Sequence, residues 1–171
     1  MGRIGKGGGV GGLAVERLLE VVQRRPCVAA LQRDRSQAEV RGVRVFSEVL
    51  ADGLVVTANP EKVQRVLFNL IQNAIRHTPA DGSITVRASA TDEGVMVEVA
   101  DDGAGIPLDD RPHVFEPFFR GGADESRTTE GAGLGLAVSR AIVEAHGGEI
   151  WLEPTASGTE MRFTLLTTAA A

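Results

Sequence analysis

The sequence predicts a two-layer α/β domain, with helices on one face of a mixed, mostly antiparallel sheet. Three observations lead there. The elements run helix, strand pair, helix, strand pair, long loop, helix, strand pair. The strands come in pairs across turns, not singly between helices as in a doubly wound nucleotide fold. The 171 residues, 43% apolar and 24% charged, are one globular domain's worth and can bury a core.

Residues 1–12 hold seven glycines with Arg3 and Lys6, too little side chain for a packed element. They read as a flexible linker or a cloning remnant, and residues 13–171 as the single domain. Gly5-Lys6 is followed by Gly7, not Ser or Thr, and no strand precedes it, which excludes a phosphate-binding P-loop. Leu13 to Arg25 reads as a helix stopped by Pro26, and Val28 to Val40 as a second helical stretch. Val43 to Val49 and Leu54 to Thr57 read as strands either side of the Asp52-Gly53 turn.

Asn59-Pro60 is a helix start, with Asn as cap and Pro in the first turn. The helix extends to about His77, before Pro79. Val63, Val66, Leu67, Leu70, Ile71 and Ala74 form its core-facing stripe. Ser83 to Ser89 and Val95 to Val99 alternate as a hairpin around Asp92-Glu93-Gly94. Asp101 to Glu130, rich in Gly, Asp and Pro, is a loop of a length usually functional or disordered. A helix from about Leu134 to His146 ends at Gly147-Gly148. Strands Glu149 to Glu153 and Glu160 to Leu166 close the chain.

Several function classes fall away. A net charge of −5, one Trp and no Tyr speak against nucleic acid as the main partner. The single Cys27 excludes an internal disulfide and a Cys-rich zinc site. No apolar run approaches the roughly 18 residues that span a bilayer.

Four segments could carry chemistry. Asn69 and Asn73, four apart, share one helix face, and His77 continues the row. Two exposed polar positions would account for the pair alone. Arg76, His77 and Thr78 nearby suggest more, because an amide oxygen suits a magnesium that keeps its waters and bridges phosphates. Asp101-Asp102-Gly103-Ala104-Gly105-Ile106-Pro107 follows a strand directly. Its acid can accept from an exocyclic amine such as adenine's, and its glycines let backbone approach a flat ring. A surface turn has the same composition. Gly131-Ala132-Gly133-Leu134-Gly135-Leu136-Ala137 opens a helix, where amide N–H groups and the dipole favour an anion. Phe115-Glu116-Pro117-Phe118-Phe119-Arg120 reads as a loop anchor, with Arg120 and Arg127 able to reach phosphate oxygens.

Together and in this order, these segments resemble the ATPase superfamily of histidine kinases, type II topoisomerases, mismatch-repair ATPases and heat-shock chaperones. The likeness is greatest to the sensor histidine kinases and covers about Val43 to Leu166. Asn69 to Ala74 resembles the N box, Asp101 to Pro107 the first glycine box, Phe115 to Arg120 the F box, and Gly131 to Ala137 the second glycine box. Gly158-Thr159 resembles a short third glycine box.

The resemblance implies a Bergerat-type fold with ATP between the helices and a mobile lid over about residues 116–132. Asp101 would bind the adenine amino group, Asn73 would hold Mg2+, and Arg76 and His77 would contact phosphate or ribose. Asn69, Gly103, Gly105, Ile106, Phe119, Arg120, Gly131, Gly133, Leu134, Gly135, Leu136 and Thr159 would complete the ATP site. Hydrolytic relatives carry a glutamate base where Asn69 stands, so phosphoryl transfer to a protein is favoured over hydrolysis.

None of His77, His113 and His146 has the setting of an acceptor histidine. The resemblance therefore implies a catalytic half that phosphorylates a histidine on a separate dimerisation hairpin, with a response regulator downstream. This half would be a cytoplasmic monomer, and its parent a membrane-anchored homodimer. An anti-sigma-type serine kinase uses the same boxes, but the full second glycine box and Phe-rich box tilt against it. A degenerate scaffold would not be expected to retain Asn73, Asp101 and the glycines.

Overall fold

The computed structural model describes residues 37–50, 56, 58–121 and 132–166. Outside them lie residues 1–12, the helix expected over Leu13 to Arg25, most of that over Val28 to Val40, and the strand at Leu54 to Thr57 apart from Val56. Gly131, Arg127 and most of the expected lid also lie outside.

Among the described residues five strands form one sheet: β1 (Arg44–Val49), β2 (Ser83–Ala90), β3 (Gly94–Asp101), β4 (Ile150–Glu153) and β5 (Thr159–Leu166). Their order is β1-β2-β3-β5-β4. Helix α1 (Pro60–His77) packs on β2 and β3, and α2 (Gly135–Ala145) on β4, β5 and α1. The architecture is the expected two layers with helices on one face.

Beginning with the cap, α1 follows from its sequence. The Asn59 side chain accepts from the Glu61 and Lys62 N–H groups at 3.1 and 3.2 Å, satisfying amides that have no intrahelical partner. Val63, Val66, Leu67, Leu70, Ile71, Ala74 and Ile75 are buried, the stripe the three-and-four spacing predicts plus one residue. Thr78 ends the helix, its hydroxyl turned back onto the Ala74 carbonyl at 2.7 Å. Across the sheet the alternation is regular: Ile84, Val86 and Ala88 of β2, Val95, Val97 and Val99 of β3, and Met161, Phe163 and Leu165 of β5 are buried. Each of these side chains except the small Ala88 contributes roughly 1.5–3 kcal/mol by leaving water, so this shared face fixes the register.

One pairing is additional to the paired-strand reading, whose own partner for β1 at Leu54 to Thr57 lies outside the described residues apart from Val56. β1 runs parallel to β2, with Arg44 opposite Ser83 and Val49 opposite Ala88. The connection between them is α1, a crossover long enough for a parallel partner. The other three pairings are antiparallel. β3 also extends further than its apolar core, because Gly94 and Asp101 remain paired with Leu166 and Thr159.

Candidate functional site

α1 turns its second face toward a cavity of about 630 Å³. Asn69, Asn73, Arg76 and His77 line it, as do Arg65, Phe68 and Gln72. The loop after β3 supplies Gly105 and Ile106, together with Pro107, Asp110 and Val114. From the Phe-rich loop come Phe119 and Arg120, and from the start of α2 come Gly133, Leu134, Gly135 and Leu136. Thr159 at the head of β5 closes the end near β3. Segments far apart in sequence thus meet at one concave site.

Asp101 and Gly103 stand just behind this wall. Asp101 Oδ1 accepts from the Gly103 N–H at 2.9 Å and from the Thr159 N–H at 3.3 Å. Burial pushes the Asp101 carboxyl above its ordinary range, against the lowering effect of these donors and of His77. Its neighbour Asp102 behaves oppositely. Both its oxygens accept from the Ser83 N–H, at 2.8 and 2.9 Å, and Oδ2 also from the Ser83 hydroxyl. Those bonds hold Asp102 below the usual carboxylate range. Asp102 fastens β2 to the end of β3, while Asp101 is held behind the cavity-lining Thr159.

Two glycines have backbone reasons to be glycine. Gly105 has φ +76°, and a Cβ there would come within 2.9 Å of the Gly158 carbonyl oxygen. Gly133 has φ +65°, and a Cβ would meet Phe119 O at 2.7 Å. The Gly133 carbonyl accepts from the Phe118 N–H at 2.9 Å, which ties the Phe-rich loop to the start of α2. Phe115 and Phe119 pack on the core, the anchoring role expected of the cluster, whereas Phe118 is exposed with φ +66°.

Asn69 has a second attachment. Its Nδ2 donates to the Gly135 carbonyl at 2.9 Å and to the Ser139 hydroxyl at 3.1 Å. Ser139 is fully buried and donates in turn to Gly135 O at 2.9 Å. The same side chain that lines the cavity therefore joins α1 to the first turn of α2.

The cavity's charge is opposite to that of the whole chain. Three guanidiniums, Arg65, Arg76 and Arg120, line it against one carboxylate, Asp110, although the chain carries −5. Apolar surface from Ile106, Val114, Leu134 and Leu136 lies beside them. A basic wall next to an apolar one fits a flat ring carrying phosphates. Among the described residues no group of three or more His, Cys, Asp or Glu could cage a metal. A cation here would have to share amide, phosphate and water oxygens, as magnesium does.

Arg65 and Gln72 were legible by spacing, Arg65 four residues before Asn69 and Gln72 three after it. Pro107, Asp110 and Val114 had no such signal, because the loop alone sets their position.

Residues 58–169 match the family described as histidine kinase-, DNA gyrase B-, and HSP90-like ATPase. The chain belongs to this family. Its domain is an ATP-binding one. Among similar proteins is the adaptive-response sensory kinase SasA of Gloeothece citriformis (strain PCC 7424), 36% identical over 141 residues, or 81% of this chain and 35% of that protein. The chain spans about a third of the length of the SasA relatives it matches. The catalytic domain of histidine kinase ThkA superposes with a TM-score of 0.74 at 29% identity, covering 89% of this chain and 93% of that one. Full-length ShkA, solved in complex with AMPPNP, gives 0.73 at 29% identity over 90% of this chain and 31% of that one.

Proposed function

We propose that this chain is the catalytic domain of a sensor histidine kinase, passing the γ-phosphate of ATP to a histidine on a dimerisation hairpin outside the chain. The observation that carries this is Asn69. In place of a general base stands an amide whose two N–H bonds are taken by Gly135 and Ser139. Such a group cannot accept a proton from water at neutral pH. The one carboxylate on the described wall, Asp110, belongs to the loop after β3 and not to this helix face. Positioning and charge neutralisation are then what the domain offers, and these suffice for phosphoryl transfer to a supplied nucleophile.

In this reading Asp101 and Thr159 take the adenine amino group, with Ile106, Leu134 and Leu136 against the ring. Gly103 and Gly105 let the backbone close in, and Phe119 supports the lid's first end. Arg76, His77 and Arg120 hold ribose and phosphate, and Gly131, Gly133 and Gly135 present amides to phosphate oxygens. Asn73 would hold Mg2+, which when bound neutralises phosphate charge. Full-length ShkA with AMPPNP supports a nucleotide in this fold.

The partners follow from the same reading: the acceptor hairpin, a homodimeric parent and a response regulator. ThkA has been solved in complex with the response regulator TrrA, which supports the last of these. The parent would be a membrane-anchored sensor with this domain in the cytoplasm. No helix among the described residues is long and apolar enough to cross a membrane.

The test is transfer of labelled phosphate from ATP, through this domain, to the parent's separately supplied acceptor hairpin. Labelling of the hairpin histidine is expected. Intact ATP binding without transfer would overturn the kinase reading.

A further inference from the structure

Arg65 stands four residues before Asn69 and extends the Asn69–Asn73 row by one turn, about 6 Å along α1. It lines the same cavity. Most of the described arginines are committed elsewhere. Arg41 and Arg44 donate to the Ile75 and Asp81 carbonyls, and Arg111 to Ile106. Arg87, Arg140 and Arg162 pair with glutamates. Arg65 and Arg76 are different: among the described residues neither has a hydrogen-bond or ion-pair partner, and both line the cavity. Even Glu61, one turn before Arg65 and well spaced for a helical ion pair, does not engage it.

The two arginines mark opposite ends. Arg76 and His77 lie at the C-terminal end of α1, where a Cβ on Gly103 would touch the His77 carbonyl beside Asp101. Asn69 lies level with Gly135. Arg65 is beyond it, roughly 18 Å of helix from His77. With a base held at Asp101 and Thr159, the phosphates run along the Asn73–Asn69 row and the last of them points toward Arg65.

We infer that Arg65 is the contact for the terminal phosphoryl group, reading the third phosphate of ATP. The inference rests on the kinase reading above and names a residue for its donor end. In the transfer, the bond from Pγ to the β–γ bridging oxygen breaks and its electron pair leaves with ADP. The unprotonated nitrogen of the acceptor imidazole forms the new N–P bond, and the other ring nitrogen gives its proton to solvent. Arg65 adds no atom to this exchange. Its guanidinium offsets charge on the oxygens of the moving group.

The test is calorimetric titration of this chain and its variants with ATP and with ADP, both with magnesium. Arg65→Gln should weaken ATP about tenfold, the scale of one charge-assisted hydrogen bond, and leave ADP within about twofold. Arg65→Lys should recover part of the loss, because it keeps the charge without the planar fork. Arg76→Gln should weaken both nucleotides together. Equal losses of ATP and ADP in Arg65→Gln, or no loss of ATP, would overturn the inference while leaving the site in place. Failure of the unaltered chain to bind either nucleotide would instead sink the site reading beneath it. Arg65 is exposed on a helix that Gln suits, and unchanged thermal unfolding is the control for folding.

Discussion

The sheet face turned away from the helices and the wall of the cavity treat arginine in opposite ways. On the outer face, one register row crosses all five strands: Glu48, Arg87, Glu98, Arg162 and Trp151 lie side by side. Its charges alternate and are paired. Arg162 reaches Glu98 at 2.9 Å, Glu153 at 3.2 Å and Glu160 at 2.7 Å, and the Trp151 indole N–H donates to Glu153 at 2.9 Å. Burial pushes the Glu98 carboxyl up, with Arg162 opposing. Along the cavity, Arg65 and Arg76 have no such partners among the described residues. Under the proposed function, the charges of the outer row are satisfied within the fold, whereas Arg65 and Arg76 are left for a ligand.

The largest effect should come from breaking the outer row at its centre. Arg162→Met strands three glutamates together, one of them buried. A loss of about 2–3 kcal/mol in urea unfolding is expected, somewhat below the usual cost of breaking a buried pair because Arg162 is partly solvated. Nucleotide affinity of the folded fraction should stay within twofold. A stability loss under 0.5 kcal/mol would show that the row does not hold the sheet.

The cavity predicts the reverse separation. Asp101→Asn keeps an oxygen for the Gly103 and Thr159 N–H groups but loses the charge. ATP affinity should fall roughly 10- to 100-fold, the scale of a hydrogen bond to a charged group, with no loss of stability at neutral pH. The sign follows from the raised pKa. Just above the ordinary value of 3.8, the folded protein keeps a proton that the unfolded chain has released. Asp101's contribution to stability is therefore present below that value and disappears as pH rises through the folded pKa. In Asp101→Asn this part of the pH dependence should vanish. Destabilisation at pH 7 would mean that the carboxylate serves the fold, and would erase the contrast with the outer face.

How far the sequence carried the reading depended on whether a signal was local. The cap at Asn59, the buried stripe of α1 and the alternation of β2, β3 and β5 are short-range patterns, and the structure has them where spacing puts them. The parallel pairing of β1 with β2 was not legible, because residues 44 and 83 are brought together by a crossover and not by a turn. Asn69 shows the same limit within the site. Its place on the helix face was readable four residues from Asn73, but its bonds to Gly135 and Ser139 depend on where α2 begins. That contact also changes what an acid at position 69 would mean, since a carboxylate there would face the Gly135 carbonyl instead of donating to it.

The smallest effect tests whether the outer row is a network or a set of pairs. Glu48 and Arg87 form an ion pair at 2.9 Å with side chains 52% and 39% exposed. An isolated pair of this exposure is worth at most about 0.5 kcal/mol, since water screens it and two long side chains must be held still. Glu48→Gln should therefore shift the urea midpoint barely, and added salt at about 0.5 M should remove the difference. Arg87, however, also stands beside Glu98 in the register and acts on its charge. If Glu48→Gln costs more than about 1 kcal/mol and the cost disappears when Arg162 is already Met, the row acts as one connected unit from β1 to β5. Additive losses would leave Arg162 as its sole structural centre, and would place the Glu48–Arg87 pair in the same class as any solvated surface contact.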